Sequence, residues 1–250
     1  MSFGAVMNLS HTETYRVHRY DVGRNMRLRP TRLCDYLEDA AGAHAEALGV
    51  GPGDLRALGL AWVLAKMRLD IDRLPDAGEE VRVRTRPIGI ERLQFRRDFT
   101  VYAGDEEIAR AVTQWVIFNL GSRRLERIPL HVAALTPETP DPAMEDADIR
   151  PEDPAAGLSG PSFPVRLDDI DQNLHVNNVR FAGFVLEAAR DFLGEEKNLR
   201  RLDVVFKAEG RFGDVIAART APGPNSGGLL HGLFRAEDNR ELVRAATEWI

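Results

Sequence analysis

Apolar residues recur at helical spacing in two stretches of the chain and alternate with polar ones through most of the rest. Leu33, Leu37, Ala40, His44 and Leu48 share one face of a helix predicted over residues 31–48, with Thr31 placed as its N-cap. A second stripe, Val179, Ala182, Leu186, Ala189 and Leu193, predicts a helix that begins at Asn177 or Asn178. Period-two alternation marks strands over residues 58–70, 80–88, 93–103 and 107–120, and again over 202–209, 214–220, 229–236 and 241–249. An extended entry precedes each helix. One helix against about four or five antiparallel strands, twice over, is an α+β arrangement in which a long sheet wraps a central helix.

The second half repeats the first. Glu107-Ile-Ala-Arg-Ala-Val-Thr-Gln-Trp115 answers Glu241-Leu-Val-Arg-Ala-Ala-Thr-Glu-Trp249, and Val81-Arg-Val-Arg-Thr-Arg-Pro87 answers Val215-Ile-Ala-Ala-Arg-Thr-Ala-Pro222 in the same order. Between the halves, residues 136–161 carry six prolines and seven acids against the single base Arg150, the composition of a linker. The expected division is therefore 1–135, a linker at 136–161, and 162–250.

Composition narrows the function classes. A length of 250 residues at 44% apolar content supports one large core or two small ones. The formal net charge of -6 disfavours nucleic acid as a partner. No apolar run approaches the roughly 20 residues of a membrane span, and the first residues lack a charged and then apolar leader, so a cytoplasmic protein is expected. Cys34 is the one cysteine, and no Cys/His spacing fits zinc, so no disulfide, metal or cofactor is expected. Two halves that pair with each other are compatible with a monomer or a homodimer.

The dense polar constellation is Leu167-Asp-Asp-Ile-Asp-Gln-Asn-Leu-His-Val-Asn-Asn178, placed just ahead of the second helix. Backbone N–H groups and the helix dipole can polarise a carbonyl oxygen there. His175 can exchange protons, Asp171 can orient it or hold a water, and Asn173 can donate to an oxyanion. Asx residues also crowd helix starts as plain caps. The repeat bears on the choice: laying Glu38 on Glu187 sets Val22, Arg24 and Met26 opposite Asp171, Asn173 and His175, so no acid, amide or imidazole stands at those places in the first half. One specialised site and one supporting wall are expected.

From about Tyr15 to Ile250 the chain resembles the acyl-acyl carrier protein thioesterase family. Asp171-Gln-Asn-Leu-His-Val-Asn-Asn178 matches the family signature, and Tyr20-Asp-Val-Gly23, Leu60-Ala-Trp-Val-Leu-Ala-Lys-Met67, Asp72-Arg-Leu-Pro75, Trp115-Val-Ile-Phe-Asn119 and Arg123-Arg-Leu-Glu-Arg-Ile-Pro129 are similar to further stretches of its pattern. The resemblance implies a tandem hot-dog fold and hydrolysis of fatty acyl-acyl carrier protein to free fatty acid. Asp171, Asn173, His175 and Glu209 would be catalytic. The family's Glu-Cys pair falls on Glu209-Gly210, so the cysteine is missing and a water mechanism is expected, with Glu209 and His175 as base, Asn173 and a helix-start amide as oxyanion donors, and Asp171 holding the loop.

The resemblance also makes the first half the acyl tunnel, with Met26, Leu33, Leu37, Trp62, Leu64 and Met67 as candidate walls and Asn177 and Asn178 as further substrate contacts. Acyl carrier protein is acidic, and Arg92, Arg96, Arg97, Arg123 and Arg124 are candidate docking residues. The rival readings are a coenzyme A thioesterase of the same fold, a hot-dog hydratase using Asp169 and His175, and a non-catalytic acyl-binding protein.

Overall fold

The computed structural model describes residues 9–137, 142–144, 149–154, 158–194 and 197–250. The first half contains β1 (His11–Arg16), α1 (Pro30–Ala47), α2 (Pro52–Ala57), β2 (Leu60–Ile71), β3 (Glu80–Glu91), β4 (Gln94–Ala103), β5 (Glu106–Asn119), the short β6 (Arg124–Glu126) and α3 (Leu130–Ala133). The second holds β7 (Leu158–Pro164), α4 (Asn178–Leu193), β8 (Leu199–Phe206), β9 (Val215–Pro222), β10 (Gly228–Arg235) and β11 (Glu241–Trp249). Helix α1 begins at Pro30, ahead of the expected Thr31 cap, because proline's fixed φ and missing N–H suit the first helical position. Helix α4 is capped by Asn177, whose side chain accepts from the Val179 amide at 2.7 Å, and it ends at Gly194 with φ 69°.

All ladders are antiparallel and join into one sheet in the order β1-β3-β4-β5-β2-β8-β11-β10-β9-β7, with β6 beside β5. The order is a palindrome about the β2–β8 seam, so each half supplies five equivalent strands. Helices α1 and α4 touch each other and lie against the sheets of their own halves. One apolar core, from Leu33 and Leu37 through Leu69 and Phe99 to Leu202 and Leu233, runs through both halves. A smaller cluster of Val50, Leu55, Leu60, Phe95, Ile117, Val132 and Leu135 sits at one end.

Parts of the segment read as a linker are packed. Ile149 is fully buried against Ile88 and Val112 on the outer sheet face, the Ala143 amide donates to Asp98 at 2.6 Å, and Arg244 donates to Asp153 at 2.6 Å. Strand β7 also begins inside that segment; residues 138–141, 145–148 and 155–157 lie outside the described residues.

Two polar features repeat or cross between halves. In the second half His231 is closed between Thr220 (3.1 Å) and Thr247 (2.9 Å), with the Trp249 indole donating to Thr247. The first half builds the same belt from Thr85, Arg97, Thr113 and Trp115, with Arg97 donating to Thr85 at 3.2 Å and to His44 at 2.8 Å. At the seam Arg68 and Asp203 form a buried bidentate pair at 2.7 and 2.5 Å, flanked by Arg201 and Asp70 at 2.5 and 2.8 Å. Among the described residues no helix is long and apolar enough to cross a membrane.

Candidate active site

The loop before each helix is built by the same turn. In the second half Asp171 N–H donates to the His175 carbonyl (2.8 Å), Leu174 N–H to the Asp171 carbonyl (3.0 Å), and Asn177 N–H to the Asp169 carbonyl (2.9 Å). In the first half the Gly23, Met26 and Arg29 amides repeat these bonds to Arg27, Gly23 and Asp21. Leu174 and Met26 both take left-handed backbone, at φ 64° and 62°, a conformation costly for side chains of this kind. Ion pairs Arg180–Asp169 and Arg32–Asp21 also correspond, as do the buried faces Phe181, Ala182, Val185 and Ala188 against Leu33, Cys34, Leu37 and Ala40.

These bonds correct the overlay of Glu38 on Glu187 by one residue. Asp171, Asn173 and His175 stand opposite Gly23, Asn25 and Arg27, so an amide is present in both halves. Glu209 is placed the same way: Val176 N–H donates to the Gly210 carbonyl as Leu28 N–H donates to that of Pro75, which sets Glu209 opposite Leu74. What distinguishes the second half is an acid, an imidazole and a second acid where the first has glycine, arginine and leucine.

The geometry joins these groups. Asp171 Oδ1 accepts the Asn173 amide at 2.8 Å and the His175 amide at 3.3 Å, which fixes the loop. His175 Nε2 lies 3.1 Å from Glu209 Oε2, so the ring presents its N–H to the carboxylate. Glu209 is in the loop after β8, because the strand ends at Phe206 rather than at the expected residue 209, and its carbonyl accepts from Arg235 at 2.9 Å. Arg211 approaches the same carboxylate at 4.0 Å. The Asn173 carbonyl oxygen accepts from Arg56 of α2 at 3.1 Å, while its NH2 group reaches Asp171 only at 3.4 Å and keeps capacity to donate elsewhere. Cys34 is buried on α1, where burial pushes its thiol far up, out of reach of a nucleophile's task.

A cleft of about 1510 Å³ is lined at one end by Asp171, Asn173, His175, Asn177, Asn178 and Glu209, and along its length by Val50, Leu60, Trp62, Leu64, Phe95, Trp115 and Leu135. The Trp62 indole is fixed by donating to the Val50 carbonyl at 2.9 Å, and its ring lies 5.4 Å from Phe95. Of the expected tunnel residues Trp62 and Leu64 are brought to this cleft. Leu33, Leu37 and Met67 are instead in the shared core, and Met26 is exposed on the loop of the first half. Among the arginines, Arg92, Arg123 and Arg124 are exposed, and Arg123 is on the cleft rim. Arg97 is buried in its polar belt, where desolvation pulls the guanidinium down to about 10, so it is closed to a docking partner. Arg96 is half-buried beside Glu91.

Sequence reasoning did not find Arg56 or Glu38, both of which the first half contributes to the cleft. Neither carries a local signal, since each reaches the loop across more than a hundred residues of chain.

Comparison with known proteins agrees with this architecture. A family model for the acyl-ACP thioesterase N-terminal domain matches residues 8–136, and one for the C-terminal domain matches residues 156–250. The chain is similar to the chloroplastic palmitoyl-acyl carrier protein thioesterase of Cuphea hookeriana, 29% identical over 254 residues, which cover 95% of this chain and 61% of that protein. It is also 29% identical over 232 residues to the chloroplastic oleoyl-acyl carrier protein thioesterase of Coriandrum sativum, covering 86% and 63%. The chain thus spans about three fifths of the length of these relatives. In fold it is similar to an acyl-ACP thioesterase from Bacteroides thetaiotaomicron, with TM-score 0.86, 23% identity and 97% and 98% of the two chains covered. The 12:0-ACP thioesterase from Umbellularia californica gives 0.82, 22%, and 98% and 99%. The tandem hot-dog fold follows, and with both halves matched by its models the chain belongs to the acyl-ACP thioesterase family.

Proposed function

We propose that this chain hydrolyses fatty acyl thioesters of acyl carrier protein to the free fatty acid and the carrier thiol. The observation that carries the reading is His175 against Glu209 at 3.1 Å, at the polar end of a cleft with apolar walls, in the half where the repeat has diverged. Glu209, coupled to His175, takes a proton from water, and the resulting hydroxide attacks the thioester carbonyl. The Asn173 NH2 group and an N–H at the start of α4 hold the oxyanion. Collapse breaks the C–S bond, and the thiolate leaves with the proton returned through His175. Asp171 keeps Asn173 and His175 in place by accepting both their amides. Gly210 in the cysteine's place and the buried Cys34 favour water over a thiol nucleophile. In this reading the second half carries the chemistry, Trp62, Leu64, Phe95 and Trp115 of the first half wall the acyl slot, and the exposed Arg92, Arg123 and Arg124 meet the acidic carrier.

The test is thiol release from carrier-bound and coenzyme A thioesters of graded chain length, with wild type and His175→Ala side by side. Faster cleavage of the carrier forms and a loss of about a hundredfold or more in the variant are expected. Preference for coenzyme A forms would move the assignment to a coenzyme A thioesterase. Full activity in His175→Ala would overturn the site.

A further inference from the structure

We infer that Glu38, on α1 of the first half, belongs to the active centre as a positioning residue: its carboxyl decides whether Asp171 sits beside a neutral acid or beside a second negative charge. The inference rests on the thioesterase reading above and adds to it a residue from the other half of the chain.

Three observations carry it. First, Glu38 lines the same cleft as Asp171, Asn173 and His175, because α1 packs against α4 and presents this side chain to the loop that precedes α4. Second, its neighbours on α1 are engaged and it is not. Asp35 accepts from Arg32 at 2.9 Å and Asp39 accepts from the Tyr15 hydroxyl at 2.8 Å, whereas among the described residues no hydrogen bond or ion pair holds the Glu38 carboxyl. A half-buried carboxyl on the cleft wall that no structural partner holds is free to act on the groups that share the cleft with it. Third, the corrected register of the repeat sets Glu38 opposite Leu186, which packs on the shared core. Asp171, His175, Glu209 and Glu38 stand where the other half has glycine, arginine, leucine and leucine, and of these four only Glu38 comes from the first half.

The charges around Glu38 fix the direction of its effect. Asp35 lies on its own helix, with Arg32 beside it. Asp171 faces it from the loop, with His175 on the same cleft, Arg180 of α4 offsets Asp35, and Arg56 of α2 stands across the cleft at Asn173. Burial first, then Asp35 and Asp171, push the Glu38 carboxyl up to about 7. Below that pH Glu38 is neutral and Asp171 is the sole negative charge of the pair. Above it a second charge appears beside the centre where the oxyanion forms, and the transition state is opposed by like charge.

The experiment is the pH profile of kcat/KM on one carrier-bound acyl thioester, from pH 5.5 to 9, for wild type, Glu38→Gln and Glu38→Leu, with thermal melting to establish that each variant is folded. Glutamine mimics the neutral acid, and leucine is what the other half uses at the equivalent place. Wild type is expected to lose activity as pH rises through about 7 and to level off at a lower rate, about tenfold down, once Glu38 is ionised. Both variants should lack that descent, so that Glu38→Gln stays within about threefold of wild type at pH 6 and exceeds it at pH 8. Profiles of the same shape in wild type and both variants, whether or not lowered uniformly, would overturn the role of Glu38 while leaving the thioesterase reading intact. A wild type inactive on every thioester at every pH would remove that reading, and this inference with it.

Discussion

Replacing Gly210 with cysteine restores the residue that the family pattern carries after its glutamate, and the structure says what it costs. A Cβ at position 210 meets Val176 Cγ2 at 2.9 Å, Phe181 Cζ at 3.1 Å and Val176 Cβ at 3.4 Å. Both neighbours are buried, and Val176 is β-branched, with little rotameric freedom to yield. It is also tied to the same residue through its amide, 2.8 Å from the Gly210 carbonyl. Overpacking of this kind costs about 1–3 kcal/mol. At about 2–4 °C per kcal/mol for a chain of this size, Tm should drop by about 2–12 °C. Relief of the contact displaces Val176, and with it His175 next door. Since a misplacement of about 1 Å can cost a hundredfold, a fall in kcat of about tenfold is expected. The clash arises at Cβ, so Gly210→Ala should behave like Gly210→Cys. The assay is kcat on a carrier-bound thioester, paired with thermal melting of both variants. A cysteine variant as active as wild type, beside an impaired alanine variant, would show that a thiol here takes part in the chemistry. Unchanged Tm in both would refute the packing argument.

Asp203→Asn strands the Arg68 guanidinium in the seam and should lower the unfolding free energy by about 3–5 kcal/mol, whereas Asp70→Asn, which breaks the more exposed neighbouring pair, should cost no more than about 1 kcal/mol. Urea midpoints for the two variants decide the matter, and equal losses would sink the distinction. Burial pulls His231 down to about 3, while burial, Arg97 and His11 pull His44 to about 4. Both are neutral when folded and take up a proton when unfolded, so the stability they contribute is full above about pH 6.5 and drains away toward pH 4, by up to about 1.4 kcal/mol per pH unit for each. His231→Gln should flatten that acid slope, and an unaltered slope in urea titrations would contradict the assignment. Arg56→Ala frees the Asn173 carboxamide and should lower kcat about fivefold with stability changed by less than about 0.5 kcal/mol; undiminished kcat would show that the loop does not need this anchor.

The elements of this fold could be read from the chain because burial imposes period on sequence. The stripes of α1 and α4 and the alternation of eight long strands follow from it, and the extended entries became β1 and β7. The order of the strands was not legible, since alternation says which face is apolar but not which neighbour lies beside it. Laying Glu38 on Glu187 misplaced the repeat by one residue; the buried pattern, with Leu33 against Phe181 and Leu37 against Val185, holds the true register. Periodicity also cannot tell a core leucine from one that walls a cleft, which is why Leu33, Leu37 and Met67 were grouped with Trp62 and Leu64. Arg97 sat in an alternating basic run that suggests a solvated face, yet its partners Thr85 and His44 are on other elements. The candidate catalytic loop stands out in the sequence because its polar residues are contiguous from Asp171 to Asn178.

The pair at the centre of the seam has a meaning for how the halves recognise each other. The Asp72 and Lys207 amides make equivalent bonds to Ile108 and Leu242, so Arg68 and Asp203, each four residues earlier, occupy the same place in the two halves and face each other where β2 meets β8. When like halves meet across such a twofold, that place is set against itself. Two first halves would bring Arg68 onto Arg68, and two second halves Asp203 onto Asp203, each burying like charges with nothing to answer them. Unlike halves neutralise. The seam therefore accepts only its complement, and the tether of a single chain keeps that complement at high local concentration.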